Sequence, residues 1–204
     1  MLRAVARRLV RRTPGYDDPA RYWDARARDL RRTYDRPETW VRRGWMRAGV
    51  EEAIVPDLLR RAGVSSVLVI GVGSGRQYAY LDGFEVSGID ISPKLVRVCR
   101  RRYPEVDTLV GDVTQLEHPP VDAVLSGAVL QHVRPAEIER TVERISATAS
   151  KLIVLRECTW LAAPRAYQFV HDYRTLFAAC TLVHAEVTDE FADVVVELLA
   201  FRRG

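Results

Sequence analysis

Val67-Leu68-Val69-Ile70-Gly71-Val72-Gly73-Ser74-Gly75 joins four apolar residues to three glycines at alternate positions. An unbroken apolar run of this length reads as a strand covered on both faces, as in a parallel sheet. The glycines let the chain turn tightly and bring its backbone close to a ligand. Their spacing is Gly-x-Gly-x-Gly, not the Gly-x-Gly-x-x-Gly of dinucleotide sites. A second strand, Phe84 to Ile89, ends on Asp90, placed to bind two ribose hydroxyls. Strand, loop and acid together predict a site for a nucleoside.

Around this nucleus the chain alternates. Strands are expected at Ser66–Ile70, Glu85–Ile89, Val106–Val110, Val121–Leu125 and Lys151–Arg156. Helices are expected near Gln77–Leu81, at Pro93–Tyr103 with Ser92 as its cap, at Ala136–Ala149 and around Arg165–Ala179. Leu182–Thr188 and Asp193–Phe201 have no helix between them and read as an antiparallel hairpin turning near Asp189-Glu190. The pattern predicts an α/β fold, a doubly wound, seven-stranded, mostly parallel sheet with an antiparallel last strand. Residues 1–63 read as an N-terminal helical extension or lid, and 64–204 as the domain that carries the site. In the extension, Asp18 and Pro19 start one helix, with Tyr22, Trp23, Ala27 and Leu30 as a rough apolar stripe. A second starts near Pro37 and carries Trp40, Val41 and Trp45, then Val50, Ile54, Leu58 and Leu59; Pro56 is expected to kink or split it, and Gly63 to end it.

Composition removes several function classes. The chain has 204 residues and a net charge of +4, but lysine occurs only at Lys94 and Lys151 and the arginines are spread along it, which argues against a nucleic-acid surface. Arg3, Arg7, Arg8, Arg11 and Arg12 cluster beside Leu2, Val5 and Leu9, the spacing of a short basic amphipathic helix or of a frayed tail. No apolar run is long enough to span a bilayer. Met1–Thr13 has arginines where a secretory signal needs an apolar stretch. Cys99, Cys158 and Cys180 lie far apart without metal spacing. These features predict a cytoplasmic protein with reduced thiols and no metal.

The carboxyl ends of the strands hold the remaining chemistry: Asp112 in Gly-Asp-Val, Ser126-Gly127-Ala128, and Glu157. A carboxylate at Asp112 can accept from the amino group of adenine while the Val113 amide donates to a ring nitrogen; its other reading is a plain turn aspartate. His132, in Leu-Gln-His-Val, and His171, in Val-His-Asp-Tyr, are the candidate bases, each with a structural reading as a hydrogen-bonded loop histidine. His171 and Asp172 are adjacent and would not face the same way on a helix, so they form no simple relay. Tyr16, Tyr22 and Trp23 could turn their rings towards a cation, or pack the extension onto the body.

Val-Leu-Val-Ile-Gly-Val-Gly-Ser-Gly-Arg, Gly-Ile-Asp-Ile-Ser-Pro-Lys-Leu, Val-Gly-Asp-Val and Val-Asp-Ala-Val-Leu-Ser-Gly-Ala-Val-Leu-Gln-His-Val together resemble the class I S-adenosylmethionine-dependent methyltransferases of the small-molecule type. The resemblance implies the cofactor S-adenosylmethionine. Gly71, Gly73 and Gly75 would pass under its methionine part, Asp90 would hold the ribose, and Ile91 would pack on adenine. Asp112 and Val113 would read the adenine edge, and Ser126, Gly127 and Ala128 would line the wall near the methyl group. With that cofactor, the rings of Tyr16, Tyr22 and Trp23 are the candidates for a lid facing the sulfonium. The resemblance also implies methyl transfer to an oxygen or nitrogen of a small-molecule acceptor. The short connection Glu157–Tyr173 leaves no large inserted cap, so the site is expected to be open or completed by the second subunit of a homodimer. One departure stands out: the family usually has Asp or Glu two residues before the first glycine, where this chain has Val69. That substitution motivates a rival reading as a non-catalytic S-adenosylmethionine- or nucleoside-binding module. An NAD-dependent oxidoreductase shares the first strand and Asp90 but not the glycine spacing; an RNA methyltransferase would need the basic N-terminal cluster.

Overall fold

The structure is a computed structural model that describes residues 16–34, 49–163, 165–191 and 193–204. The basic cluster Arg3–Arg12 and the helix expected from Pro37 through Trp45 lie outside the described residues. Strands β1 (Ser66–Ile70), β2 (Glu85–Asp90), β3 (Asp107–Val110), β4 (Val121–Gly127), β5 (Ala149–Leu161), β6 (Thr181–Phe191) and β7 (Val194–Arg202) form one sheet in the order β3-β2-β1-β4-β5-β7-β6. β1 to β5 pair in parallel, and β7 runs antiparallel to both β5 and β6. The strand order reverses between β1 and β4, so their carboxyl ends open the crevice where such sheets bind ligands.

Two apolar layers sandwich the sheet because successive side chains of a strand point to opposite faces. On one face Val67 and Val69 of β1 pack with Val55 and Leu59 of helix α2 (Val50–Arg61) and Cys99 of α3 (Pro93–Arg102). On the other, Leu68 and Ile70 pack with Ile138, Val142 and Ile145 of α4 (Ile138–Thr148). Helix α1 (Pro19–Tyr34) begins where Asp18 Oδ1 accepts from the Arg21 N–H at 3.0 Å. Ser92 caps α3 by accepting from the Leu95 N–H at 3.3 Å. Pro56 sits inside a continuous α2, which ends as expected at Gly63 with a φ of 61°. The expected helix near Gln77–Leu81 is a 3-10 turn, Gln77–Tyr80.

Three boundaries differ from the sequence reading. The helix expected over Arg165–Ala179 shrinks to the single turn α5 (Tyr173–Leu176), capped by Asp172. The segment before it spends its backbone groups on the loop after β4: the Phe169 N–H donates to the Gln131 carbonyl at 2.7 Å, and the Tyr167 carbonyl accepts from His132. Strand β5 continues past Arg156 because its pairing with β7 runs on to Leu161 opposite Val194. Asp189 and Glu190 lie in β6 rather than in the hairpin turn, since Asp189 is buried against the Arg156 guanidinium.

Ile153, fully buried in β5, reports on the core. Ile153→Ala is expected to lower unfolding free energy in urea by about 2–5 kcal/mol; a loss under about 1 kcal/mol would contradict the packing described.

Candidate active site

The glycine loop follows β1 directly. Gly71, Gly73 and Gly75 have φ of 66°, 56° and 85°, a region that side chains disfavour. Space excludes a side chain as well: a Cβ at Gly71 would lie 2.2 Å from Val129 Cγ2, and one at Gly75 2.7 Å from the Tyr103 ring. The loop is tied to β2 by the Gly71 and Val72 N–H groups, both donating to the Ile89 carbonyl at 2.8 and 3.1 Å. Asp90 completes the tie. Its Oδ2 accepts from the Gly73 N–H at 2.9 Å and its Oδ1 from the Ser92 N–H at 2.8 Å. Burial pushes the Asp90 carboxyl up to about 6, against the pull of those two N–H groups.

Asp112 caps a 3-10 turn, Val113–Gln115, and its Oδ1 accepts from both the N–H and the hydroxyl of Thr114 at 2.9 Å. The turn-aspartate reading therefore describes one oxygen of this carboxylate. Ile91 follows Asp90 and, like Val113, is half-buried.

Beyond β4, the wall residues are organised by Glu157, which the sequence marked only as a strand end. Its buried carboxylate accepts from Ser126 Oγ at 2.6 Å and from the N–H groups of Val129, Leu130 and Gln131 at 3.0–3.1 Å. Burial raises its pKa despite these donors. The same turn forces Ala128 to a φ of 58°, a conformation costly for a residue with a Cβ. Gly127 leaves room for Gln77, whose Nε2 would lie 2.5 Å from an added Cβ.

Gln77 leads to a group of buried charges absent from the sequence reading. Glu51 of α2 accepts from Gln77 Nε2 at 2.9 Å, Tyr80 Oη at 2.5 Å and Arg76 Nη2 at 2.5 Å. Arg156 lies 3.8 Å from it and pairs in turn with Asp189. Arg76 and Arg156 outweigh the burial penalty and hold the Glu51 carboxyl down at about 2. Val69, where the family's acid would stand, is fully buried in β1 on the sheet face that α2 covers. No periodicity signals that Glu51 pairs with arginines so distant in sequence.

Helix α1 spans the carboxyl edge. Asp24 accepts from Ser92 Oγ at 2.9 Å and the Lys94 N–H at 3.1 Å, just past Asp90. Near its other end Tyr16 Oη donates to the His132 carbonyl at 2.6 Å, and Arg134 donates to the Tyr16 carbonyl at 2.8 Å. Tyr16, Tyr22, Trp23, His132 and Tyr167 form one aromatic cluster; the Trp23 and His132 rings are 4.7 Å apart. The rings of Tyr22 and Trp23 surround the guanidinium of Arg26.

His132 Nδ1 donates to the Tyr167 carbonyl, leaving Nε2 as the acceptor, 3.2 Å from Gln131 Nε2. Burial pulls its pKa down to about 4, so it is neutral at physiological pH. His171 lies outside the cluster's contacts. It is buried beside Phe169 and Tyr173 and its Nε2 donates to the Val133 carbonyl at 3.0 Å; burial lowers its pKa too. Asp172 turns away to cap α5. Cys99, Cys158 and Cys180 are free thiols. Among the described residues no group of His, Cys, Asp and Glu could hold a metal ion, and no helix is long and apolar enough to cross a membrane.

Residues 68–154 match the family model described as a methyltransferase domain. Three solved structures share the fold. A magnesium protoporphyrin IX methyltransferase from Synechocystis PCC 6803 with bound S-adenosylhomocysteine is 17% identical, with a TM-score of 0.73 over 91% of this chain and 98% of that one. The N-methyltransferase NodS from Bradyrhizobium japonicum WM9, in complex with S-adenosylhomocysteine, is 17% identical, with a TM-score of 0.66 over 87% and 97%. TehB from Haemophilus influenzae is 12% identical, with a TM-score of 0.65; the match covers 74% of this chain and 62% of that protein. A comparison with curated protein sequences finds no match. Taken with the strand order and the glycine loop, the match marks residues 68–154 as a methyltransferase domain of the S-adenosylmethionine-dependent kind. The site fits that cofactor. The loop's own Ser74 Oγ is buried without a hydrogen-bond partner, which leaves a donor for a ligand.

The Glu51 cluster makes a signed prediction. Folding lowers this carboxyl from 4.5 to about 2, so its stabilisation is present above 4.5 and is lost as pH falls towards 2. Glu51→Gln should cost about 3 kcal/mol of unfolding free energy near neutral pH and much less near about pH 3. Equal losses at both pH values in urea titrations would contradict the charged network.

Proposed function

We propose that this methyltransferase acts on an oxygen or nitrogen of a small-molecule acceptor, with residues 1–63 as a lid over the cofactor domain 64–204. The observation that carries the reading is the buried Asp90 carboxylate, fixed by Gly73 and Ser92 at the end of β2 with lone pairs left on both oxygens. In this reading Asp90 accepts from the two ribose hydroxyls, and Ile91 and Val113 flank adenine. Asp112 Oδ2, which the Thr114 bonds leave free of that contact, takes the adenine amino group. Gly71, Gly73 and Gly75 let the methionine part approach the backbone, and Ser126 and Gly127 form the wall beside the methyl group. Tyr22 closes the cleft from α1.

The cofactor supplies a methyl group on a sulfonium sulfur. An in-line displacement moves that methyl to the acceptor atom, leaves S-adenosylhomocysteine, and releases the acceptor's proton. Alignment is the protein's main task, since charge on sulfur is lost as the bond breaks. A hydroxyl acceptor also needs a base. His132 is neutral, and its Nε2 takes that proton only after the Gln131 amide lets go of it; His171 donates from Nε2 to the Val133 carbonyl, so its accepting nitrogen is Nδ1.

A second reading, a binding module without turnover, is favoured by Val69. Calorimetry with S-adenosylmethionine, S-adenosylhomocysteine and NAD tests both. The first two bind and NAD does not if the proposal holds; binding without turnover on any acceptor favours the module. Asp90→Ala should weaken S-adenosylhomocysteine by about 1.5–3 kcal/mol, and an unchanged affinity would sink the ribose assignment.

The pH dependence has a defined sign. Ribose hydroxyls donate to the ionised carboxylate, whereas free Asp90 takes a proton near 6. Affinity for S-adenosylhomocysteine should therefore fall as pH drops below 6, by up to about tenfold per unit. A flat profile there contradicts the role given to Asp90.

A further inference from the structure

Arg26 presents its guanidinium to three aromatic rings. Its Cζ lies 5.4 Å from the Tyr22 centroid, 5.9 Å from Trp23 and 5.5 Å from Tyr167. Its Nη1 donates to Tyr22 Oη, and its charge interacts with the Tyr167 hydroxyl as well. Among the described residues it pairs with no carboxylate. Asp24, two positions earlier on α1, is held by Ser92 and Lys94. Glu157, the buried acid of the neighbouring turn, is occupied by Ser126 and three backbone N–H groups.

A half-buried cation without a counter-charge is incomplete. The aromatic contacts support a guanidinium through its charge, while its five N–H donors lie in its plane. Among the described residues only Tyr22 and Tyr167 engage this one, so part of the fork is left for a planar oxyanion, which guanidinium receives edge-on through two parallel hydrogen bonds. The location is specific. Arg26 lies where α1 meets Tyr167 of the β5–β6 connection, and its charge acts on His132 after β4. These three elements frame the place where an acceptor would meet the cofactor. A fixed cation beside a sulfonium also disfavours cationic acceptors and favours anionic ones.

We propose that Arg26, framed by Tyr22, Trp23 and Tyr167, binds an oxyanion of the acceptor, so that this methyltransferase selects small carboxylates. The proposal rests on the methyl-transfer reading above. The same chemistry could come from the cofactor's own carboxylate, and the test separates the two sources.

Protein saturated with S-adenosylhomocysteine is titrated by calorimetry with benzoate and with its uncharged isostere benzamide. Benzoate is expected to bind at least about tenfold more tightly, in line with the strength of a bidentate charged pair. Arg26→Gln should abolish that preference while changing S-adenosylhomocysteine affinity less than about twofold, and Arg26→Lys, which keeps the charge but not the fork, should retain only part of it. If Arg26→Gln fails to fold, the lysine variant carries the comparison. Equal binding of the two probes, binding of neither, or a preference that survives both substitutions overturns the proposal. So does a loss of S-adenosylhomocysteine affinity in Arg26→Gln with 5′-methylthioadenosine unaffected, which would assign the arginine to the cofactor's carboxylate. Failure of the wild-type protein to bind S-adenosylhomocysteine is seen before either probe is added and overturns the methyl-transfer reading with it.

Discussion

A buried carboxylate that accepts backbone N–H groups recurs along the carboxyl edge of this sheet, and the one at Asp90 governs the glycine loop. Its two oxygens fix the middle of the glycine loop and the start of α3 at once. Without that bridge, β1 and β2 would still pair and Gly71 and Val72 would still hold the Ile89 carbonyl, but Gly73 would lose its tie to the end of β2. The arrangement carries an electrostatic cost. Burial raises the carboxyl from 3.8 to about 6, so its favourable contribution to folding is present below 3.8 and is lost as pH rises through 6. At neutral pH the folded chain holds a charge that burial disfavours. Hydroxyl donors from a ligand relieve it, and this is why the position suits binding better than stability.

Glu157 repeats the device at the end of β5. Three successive N–H groups and a hydroxyl converge on it, and the strained Ala128 is the local consequence. Glu51 varies the theme with side-chain donors, drawing the start of α2 onto the loop through Arg76 and Gln77. The three acids thus fix the glycine loop, the turn after β4 and the start of α2. Helix α1 then joins both ends, through Asp24 near β2 and through Tyr16 and Trp23 near β4.

The sequence exposed what depends on local pattern. The parallel core was legible from apolar runs such as Val67–Ile70, the loop from its glycines, and the caps from Asp18 and Ser92. It misplaced elements whose backbone groups are claimed from a distance. The segment from Arg165 has no bar to a helix within itself, yet Gln131 and His132 take its hydrogen bonds. Asp189 looks like a turn residue until Arg156 buries it in a strand. Glu51 and Arg26 were invisible for the same reason, and Glu157 was legible only as a strand end: each acts through partners from other elements, and single-residue types carry no trace of that pairing. The aromatic residues were legible as a group, but the cation at their centre is Arg26 of the same helix.

A crystal structure of the complex with S-adenosylhomocysteine tests the central claim most directly. The account predicts both ribose hydroxyls on the Asp90 carboxylate at about 2.7 Å, with the Gly73 and Ser92 bonds intact and adenine between Ile91 and Val113. Ribose held by another group, with Asp90 bonded only to the backbone, would contradict it.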